Sequence, residues 1–286
     1  HLRHFETTRS TLLLSDKVPF VYSRGSKQIA DCLELIRIAH GVGAEEFKER
    51  PCTWTVINTN SPLRLDGPMG DGLIQMALFG QPVVATPFTL AGAMSVVSLA
   101  GAIAQQNAEA LFLVALSQIV RPGAPMVYGA FTSNVDMRTG APAFGTPEYV
   151  KGALASGQMA RRYGLPWRSS NATASNVVDA QAAYESEMAV WGAVMGGVNL
   201  LYQGAGWLEG GLTASFEKLI IDAEILQMLS EVLVPFEVSE ATLGFDALAE
   251  VGPGGHFFGS SHTLERYETA FYRPLAPGGS DETGGD

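Results

Sequence analysis

Charge is what this chain has least of. Only 16% of its 286 residues are Asp, Glu, Lys or Arg, against about 25% in ordinary soluble domains. Its 18 basic residues are outnumbered by 29 acidic ones, for a net charge of -11, and no basic run occurs. That excludes a nucleic-acid binder, whose affinity comes from neutralising phosphates. So little charge points to covered surface, either in a homo-oligomer or against sequence not present here. Cysteine is nearly absent. Cys32 and Cys52 lie outside any CxxC or Cys/His cluster, which argues against a disulfide scaffold and a structural zinc site. A cytoplasmic setting is the expectation. The first residue is His1, and no charged segment leading into an apolar one follows it, so a fragment of a longer protein is expected.

One uncharged stretch, between Asp71 and Glu109, exceeds the roughly 20 residues of a membrane span. Pro82, Pro87, Gln105, Gln106 and Asn107 interrupt it. It reads as a buried strand at 83–86 and a buried helix of small residues at 92–116, not as a membrane segment.

What the chain does have is alternation. Apolar runs predict strands at 19–23 (PFVYS), 54–58 (WTVIN), 82–88 (PVVATPF), 124–131 (APMVYGAF), 166–170 (PWRSS) and 199–204 (NLLYQG). Helical spacing predicts helices at 26–40, 71–79, 92–116, 147–163, 179–195 and 213–233. Pro147 suits a first helical turn, where its missing N–H has no partner to lose. Asp179 suits an N-cap. Apolar strands separated by helices indicate a parallel sheet covered on both faces. About six βα units fall short of the eight in a closed barrel. The expected fold is α/β: the C-terminal portion of a (β/α)₈ TIM barrel over residues 1–275, then a disordered polar tail at 276–286. An open doubly wound sheet ranks second, since no strand leads into GxGxxG.

Active sites of such barrels lie at the C-terminal strand ends. Those ends carry neutral polar and aromatic residues, two carboxylates, no Lys and no His. A Schiff-base lysine, a clustered metal site and a GxSxG nucleophile elbow are thereby excluded. The remaining picture is a neutral or anionic pocket with aromatic walls, suited to an ammonium cation. Phe88, Tyr128, Tyr202 and Trp207 are the candidate cage. Gln203 and Asn134 are candidates for orienting a polar substrate group, and Glu209 and Asp136 for charge complementarity. His256, in GPGGHF, joins them as an orienting or catalytic group. Trp54, Phe112 and Trp191 are assigned to the core, and Glu185 and Glu187 to a solvated helix face.

The stretches INTNSPL (57–63), TPFTLAGAMSVVSLAGAIAQQNAEAL (86–111), GAPMVYGAFTSNVDMRTGAPAFGTPEYVKGALASGQMARRYG (123–164), DAQAAYESEMAVW (179–191), GWLEGGLTASFEKLIIDAEIL (206–226) and EVGPGGHFFGSSHTLERY (250–267) together resemble the trimethylamine methyltransferase family. The resemblance implies a (β/α)₈ barrel that passes a methyl group from a methylated amine to the cob(I)alamin of a separate corrinoid protein. No cofactor bound tightly by this chain is implied. Some members carry pyrrolysine, which would fall near the strand end holding Tyr128 and Gly129. This sequence has no such residue, which favours a quaternary amine such as glycine betaine over trimethylamine. A quaternary nitrogen already leaves as a neutral amine and needs no activation by an adduct. The alternative is a non-catalytic binding protein for a methylated amine.

Overall fold

The computed structural model describes residues 2–275; the expected tail at 276–286 lies outside the described residues. In chain order the strands are β1 (Thr55–Asn58), β2 (Val83–Thr86), β3 (Phe88–Ala91), β4 (Met126–Gly129), β5 (Phe131–Val135), β6 (Pro142–Ala143), β7 (Trp167–Ser170), β8 (Leu200–Tyr202), β9 (Trp207–Leu208) and β10 (Thr213–Ala214). The helices are α1 (Arg3–Leu14), α2 (Ser26–Ala39), α3 (Ala44–Glu49), α4 (Gly67–Leu78), α5 (Leu99–Val120), α6 (Pro147–Arg162), α7 (Ala180–Met195), α8 (Phe216–Val232), α9 (Glu240–Leu243), α10 (Phe245–Val251) and α11 (Ser261–Arg266). The chain divides into two compact units, residues 1–219 and 220–286.

The first unit is organised by a five-stranded sheet in the order β1-β2-β4-β7-β8, with every neighbouring pair parallel. This is a half-barrel, with α4 to α7 as its crossovers. The strand expected at 19–23 shrinks to one parallel bridge, Phe20 to Trp54. Pro19 has no amide proton to donate, and side chains do part of the pairing. The Thr53 and Thr55 hydroxyls donate to the carbonyls of Pro19 (2.7 Å) and Val21 (2.6 Å).

The expected strands at 82–88 and 124–131 run further than predicted, each broken by one residue. Past Pro87 and Ala130 the pair continues in the same register as β3 and β5, from Phe88↔Phe131 to Ala91↔Asn134. β6 folds back on β5 to complete a second, three-stranded sheet. This extension displaces the expected start of the next helix. Gly92 has φ +93°, outside the helical region, and the Leu90 carbonyl accepts the amides of Ala93, Met94 and Ser95 in a tight turn. Helix α5 therefore begins only at Leu99. By length and composition α5 could cross a membrane; here it packs on β2 to β5 and between α4 and α6.

Side-chain caps fix the starts of three other helices of the first unit. The Asp66, Thr146 and Asp179 side chains accept the amides of Met69, Tyr149 and Ala182 at the heads of α4, α6 and α7, and Pro147 sits in the first turn of α6. Ile29, Leu33 and Ile36 of α2 and Leu73 and Met76 of α4 bury against Ile57, Val83 and Met126 of the sheet. In the second unit, the Glu224 carboxylate accepts from the Tyr272 hydroxyl (2.7 Å) and the Leu275 amide (2.6 Å). Ser239 and Thr242 form a capping box at α9.

Candidate functional site

A cavity of about 280 Å³ opens where the parallel strands end. Asn58 and Thr86 are the last residues of β1 and β2, and both line it. Phe88 and Phe131 begin the extension sheet above it. Tyr202, Gln203 and Trp207 close it from the β8 side, with the Phe20 ring 5.5 Å from that of Tyr202. No Asp or Glu is among the lining residues.

One charge does line it. Arg168, the second residue of β7, is 2% exposed. Its Nη2 donates to Gln203 Oε1 at 2.6 Å, and its Nε and Nη1, both enclosed, have no partner among the described residues. The guanidinium carbon lies 5.0 Å from the ring centre of Tyr202 and 5.7 Å from that of Phe131. Burial lowers the guanidinium to about 10, opposed by the neighbouring Tyr149 and Tyr202, so it stays charged at neutral pH. Those two phenols supply no counter-charge. Burial raises both, Tyr149 to about 12. A buried ion without a counter-ion carries a penalty of several kcal/mol. A binding site is where proteins retain such a group.

The pocket is thus cationic, which corrects the expectation of a neutral or anionic one. Strand-end position does not single out Arg168, although PWRSS contains it. A lone charge inside an apolar strand of a doubly covered sheet has no solvent to face. It stands below the strand end, but its side chain is long enough to reach Gln203.

Of the residues singled out in the sequence, Phe88, Tyr202, Gln203 and Trp207 come together around the cavity. The others do not line it. Tyr128 is fully buried in a core cluster with Ala110, Ala153 and Trp167, and its hydroxyl donates to Asn107 of α5 at 3.0 Å. Alternation along β4 turns it toward the helices. Asn134 lies in β5, where its Oδ1 accepts from the Thr146 hydroxyl. Asp136 is exposed in a turn, its carboxyl held below the usual range by the Arg138 amide and the Thr139 hydroxyl. The Glu209 carboxylate accepts from the Thr213 hydroxyl at 3.0 Å. His256 belongs to the second unit, exposed, with its ring 6.0 Å from that of Phe258. Among the described residues, no group of three or more His, Cys, Asp and Glu could hold a metal ion.

Two buried glutamates hold the loops that follow strands. Glu109 of α5 accepts from the Ser61 hydroxyl (2.7 Å), the Leu63 amide (2.9 Å), Gln105 (2.9 Å) and the Thr59 hydroxyl, tying down the loop after β1. Burial opposes its ionisation, but these donors together hold the carboxyl below its usual range. Glu185 of α7 accepts the amides of Ala174 (2.7 Å) and Ser175 (3.0 Å) in the loop after β7. Glu185 is therefore a buried anchor and not part of a solvated face, whereas Glu187 is exposed. Phe112, assigned to the core, is 52% exposed.

The strand end where pyrrolysine was expected to map holds Gly129. A Cβ there would fall 2.4 Å from Thr86 Oγ1 and 2.5 Å from the Ala85 carbonyl oxygen, so no side chain fits without a backbone shift.

The trimethylamine methyltransferase (MTTB) family model matches residues 1–278. The chain is 37% identical over 274 residues to the glycine betaine methyltransferase of Desulfitobacterium hafniense strain Y51, covering 96% of this chain and 57% of that protein. It is 30% identical over 256 residues to the trimethylamine methyltransferase MttB of Desulfitobacterium hafniense strain DSM 10664 / DCB-2, covering 89% and 51%. With the MttB of Methanosarcina barkeri it shares 33% identity over 233 residues, covering 81% and 47%. The chain spans about half the length of the curated relatives it matches. It belongs to the trimethylamine methyltransferase family.

Proposed function

We propose that the protein takes a methyl group from a quaternary amine that bears a carboxylate, of the glycine betaine kind, and passes it to the reduced corrinoid of a separate protein. The observation that carries the substrate class is Arg168, a buried guanidinium with two nitrogens unpartnered among the described residues, in a cavity whose lining holds no acid. A pure cation would meet an uncompensated like charge in this cavity. A zwitterion brings its own anion, and a charge-assisted bond to a carboxylate is among the stronger hydrogen bonds.

In this reading Arg168 holds the carboxylate and thereby orients the other end of the substrate. One face each of Tyr202 and Phe131 already packs on the guanidinium. Phe20, Tyr22, Phe88 and Trp207 are the aromatic walls that remain for the ammonium. Each such contact contributes about 0.5–2 kcal/mol when desolvated. Those contacts weaken as charge leaves nitrogen, so they bind substrate more than they lower the barrier. The contribution to rate is positioning: one methyl held in line for attack. The corrinoid supplies the attacking electron pair. The C–N bonding pair stays on nitrogen, which departs as a neutral tertiary amine. A closed eight-stranded barrel and a corrinoid protein that covers its mouth and keeps water out complete the proposal.

The test is methyl transfer by the full-length chain to cob(I)alamin under anaerobic conditions, with its corrinoid partner supplied. The amines are glycine betaine, carnitine, choline and trimethylamine, and the readout is loss of the Co(I) absorbance. Turnover with a carboxylate-bearing quaternary amine and none with trimethylamine is the expected result. Silence across the panel would overturn the reading. If glycine betaine still bound, a non-catalytic binding protein would remain.

A further inference from the structure

Arg168 touches one side-chain acceptor, and that acceptor is neutral. Gln203 Oε1 receives Arg168 Nη2 at 2.6 Å and the Ser170 hydroxyl at 3.0 Å. Two donors fix which oxygen faces the guanidinium. The backbone at Gln203 is held in the left-handed region, φ +55°, where a non-glycine residue is uncommon. The next residue is pinned as well: Asn171 Nδ2 donates to the Gly204 carbonyl at 2.9 Å. The side chain at position 203 is therefore aimed at Arg168 by the elements on both sides of it.

We infer that residue 203 sets the charge of the cavity and so determines whether it takes a zwitterion or a cation. With an amide at 203, the guanidinium keeps its full charge at the cavity wall, and a carboxylate on the substrate balances it. A carboxylate at 203 would have nearly the same shape and could accept the same two bonds. It would turn the contact into a buried ion pair, and the lining would carry no net charge, because no other acidic residue contributes to it. The substrate's carboxylate would then meet a guanidinium already paired and an added negative charge. A substrate with a bare quaternary ammonium would lose the like charge that opposes it. Gln203 is thus a positioning and specificity residue that acts through Arg168. The inference rests on the betaine reading of the same cavity and adds the residue that selects between substrate classes.

The experiment measures binding of glycine betaine and of choline by calorimetry to the full-length chain and to its Gln203→Glu and Gln203→Met variants. Methyl transfer from both amines is followed in parallel. Gln203→Glu is expected to weaken glycine betaine by at least about 30-fold, the scale of losing a buried charge pair, while choline binds as well as before or better. Gln203→Met keeps the charge and removes only the acceptor. It is expected to weaken glycine betaine by about tenfold, on the scale of one bond to a charged group, and to leave glycine betaine preferred over choline. Retained choline binding shows that the Gln203→Glu chain is folded. Parallel losses for both ligands in both variants would mean a merely structural role and overturn the inference. So would a wild-type chain that prefers choline, even where methyl transfer proceeds. If the preference inverts as expected but no methyl is transferred, the inference stands and the methyl-transfer reading fails.

Discussion

Arg168 is buried where hydrophobic residues would normally be, among Phe131, Tyr149 and Tyr202, and two of its nitrogens have no partner among the described residues. Nothing in the fold needs a charge there. Replacing even a buried ion pair by apolar residues of similar volume is often neutral or stabilising, by about 1–4 kcal/mol, and an ion without a counter-ion has less to lose. Arg168→Met is therefore expected to unfold at the same denaturant concentration as wild type or a higher one. A drop in the urea midpoint would mean that the guanidinium is structural. At this scale the sequence was half legible. Strand-end position picked out four residues that line the cavity, Phe88, Tyr202, Gln203 and Trp207. It failed at Tyr128, because a run of apolar residues does not say which face of the strand each one takes. It also failed at Arg168, because looking only at strand ends ignores how far a long side chain reaches.

The elements bring these residues together through the loops that follow their strands, and buried carboxylates hold two of those loops. The Glu109 carboxyl lies below its usual range despite burial, because the Leu63 amide, Thr59, Ser61 and Gln105 stabilise its charged form. A depressed carboxyl stabilises the folded state above the ordinary carboxylate pKa, and that stabilisation is lost as pH falls through the folded value. Glu109→Gln is expected to destabilise the chain by about 1–3 kcal/mol near neutral pH, with the difference shrinking in acid. Urea unfolding at neutral and acidic pH reads it directly; an equal difference at both would contradict the assignment. The Glu185 anchor could have been read from spacing. Ala182, Glu185, Ser186, Ala189 and Val190 all lie on the buried stripe of α7, and Glu187 falls outside it. The start of α5 was harder, because an apolar run without charge gives no sign of where strand extension stops and helix begins.

For the molecule as a whole, alternation of strand and helix patterns was enough to indicate a parallel half-barrel. Five strands with helical crossovers form it, and the sixth expected strand survives as a bridge because Pro19 cannot donate. What alternation could not reveal was the extension sheet of β3, β5 and β6. Its own strands β3 and β5 supply Phe88 and Phe131 to the cavity. Nor could composition reveal the sign of the cavity. A net charge of -11 describes the chain as a whole and says nothing of a single guanidinium enclosed by aromatic rings.

The account stands on a carboxylate binding to that guanidinium. The direct measurement is calorimetric titration of glycine betaine into the full-length wild-type chain and into Arg168→Met. Saturable binding to wild type, weakened at least about 30-fold in the variant, is the result the account predicts. Equal affinity in the two chains would contradict it, because the carboxylate would then be held elsewhere.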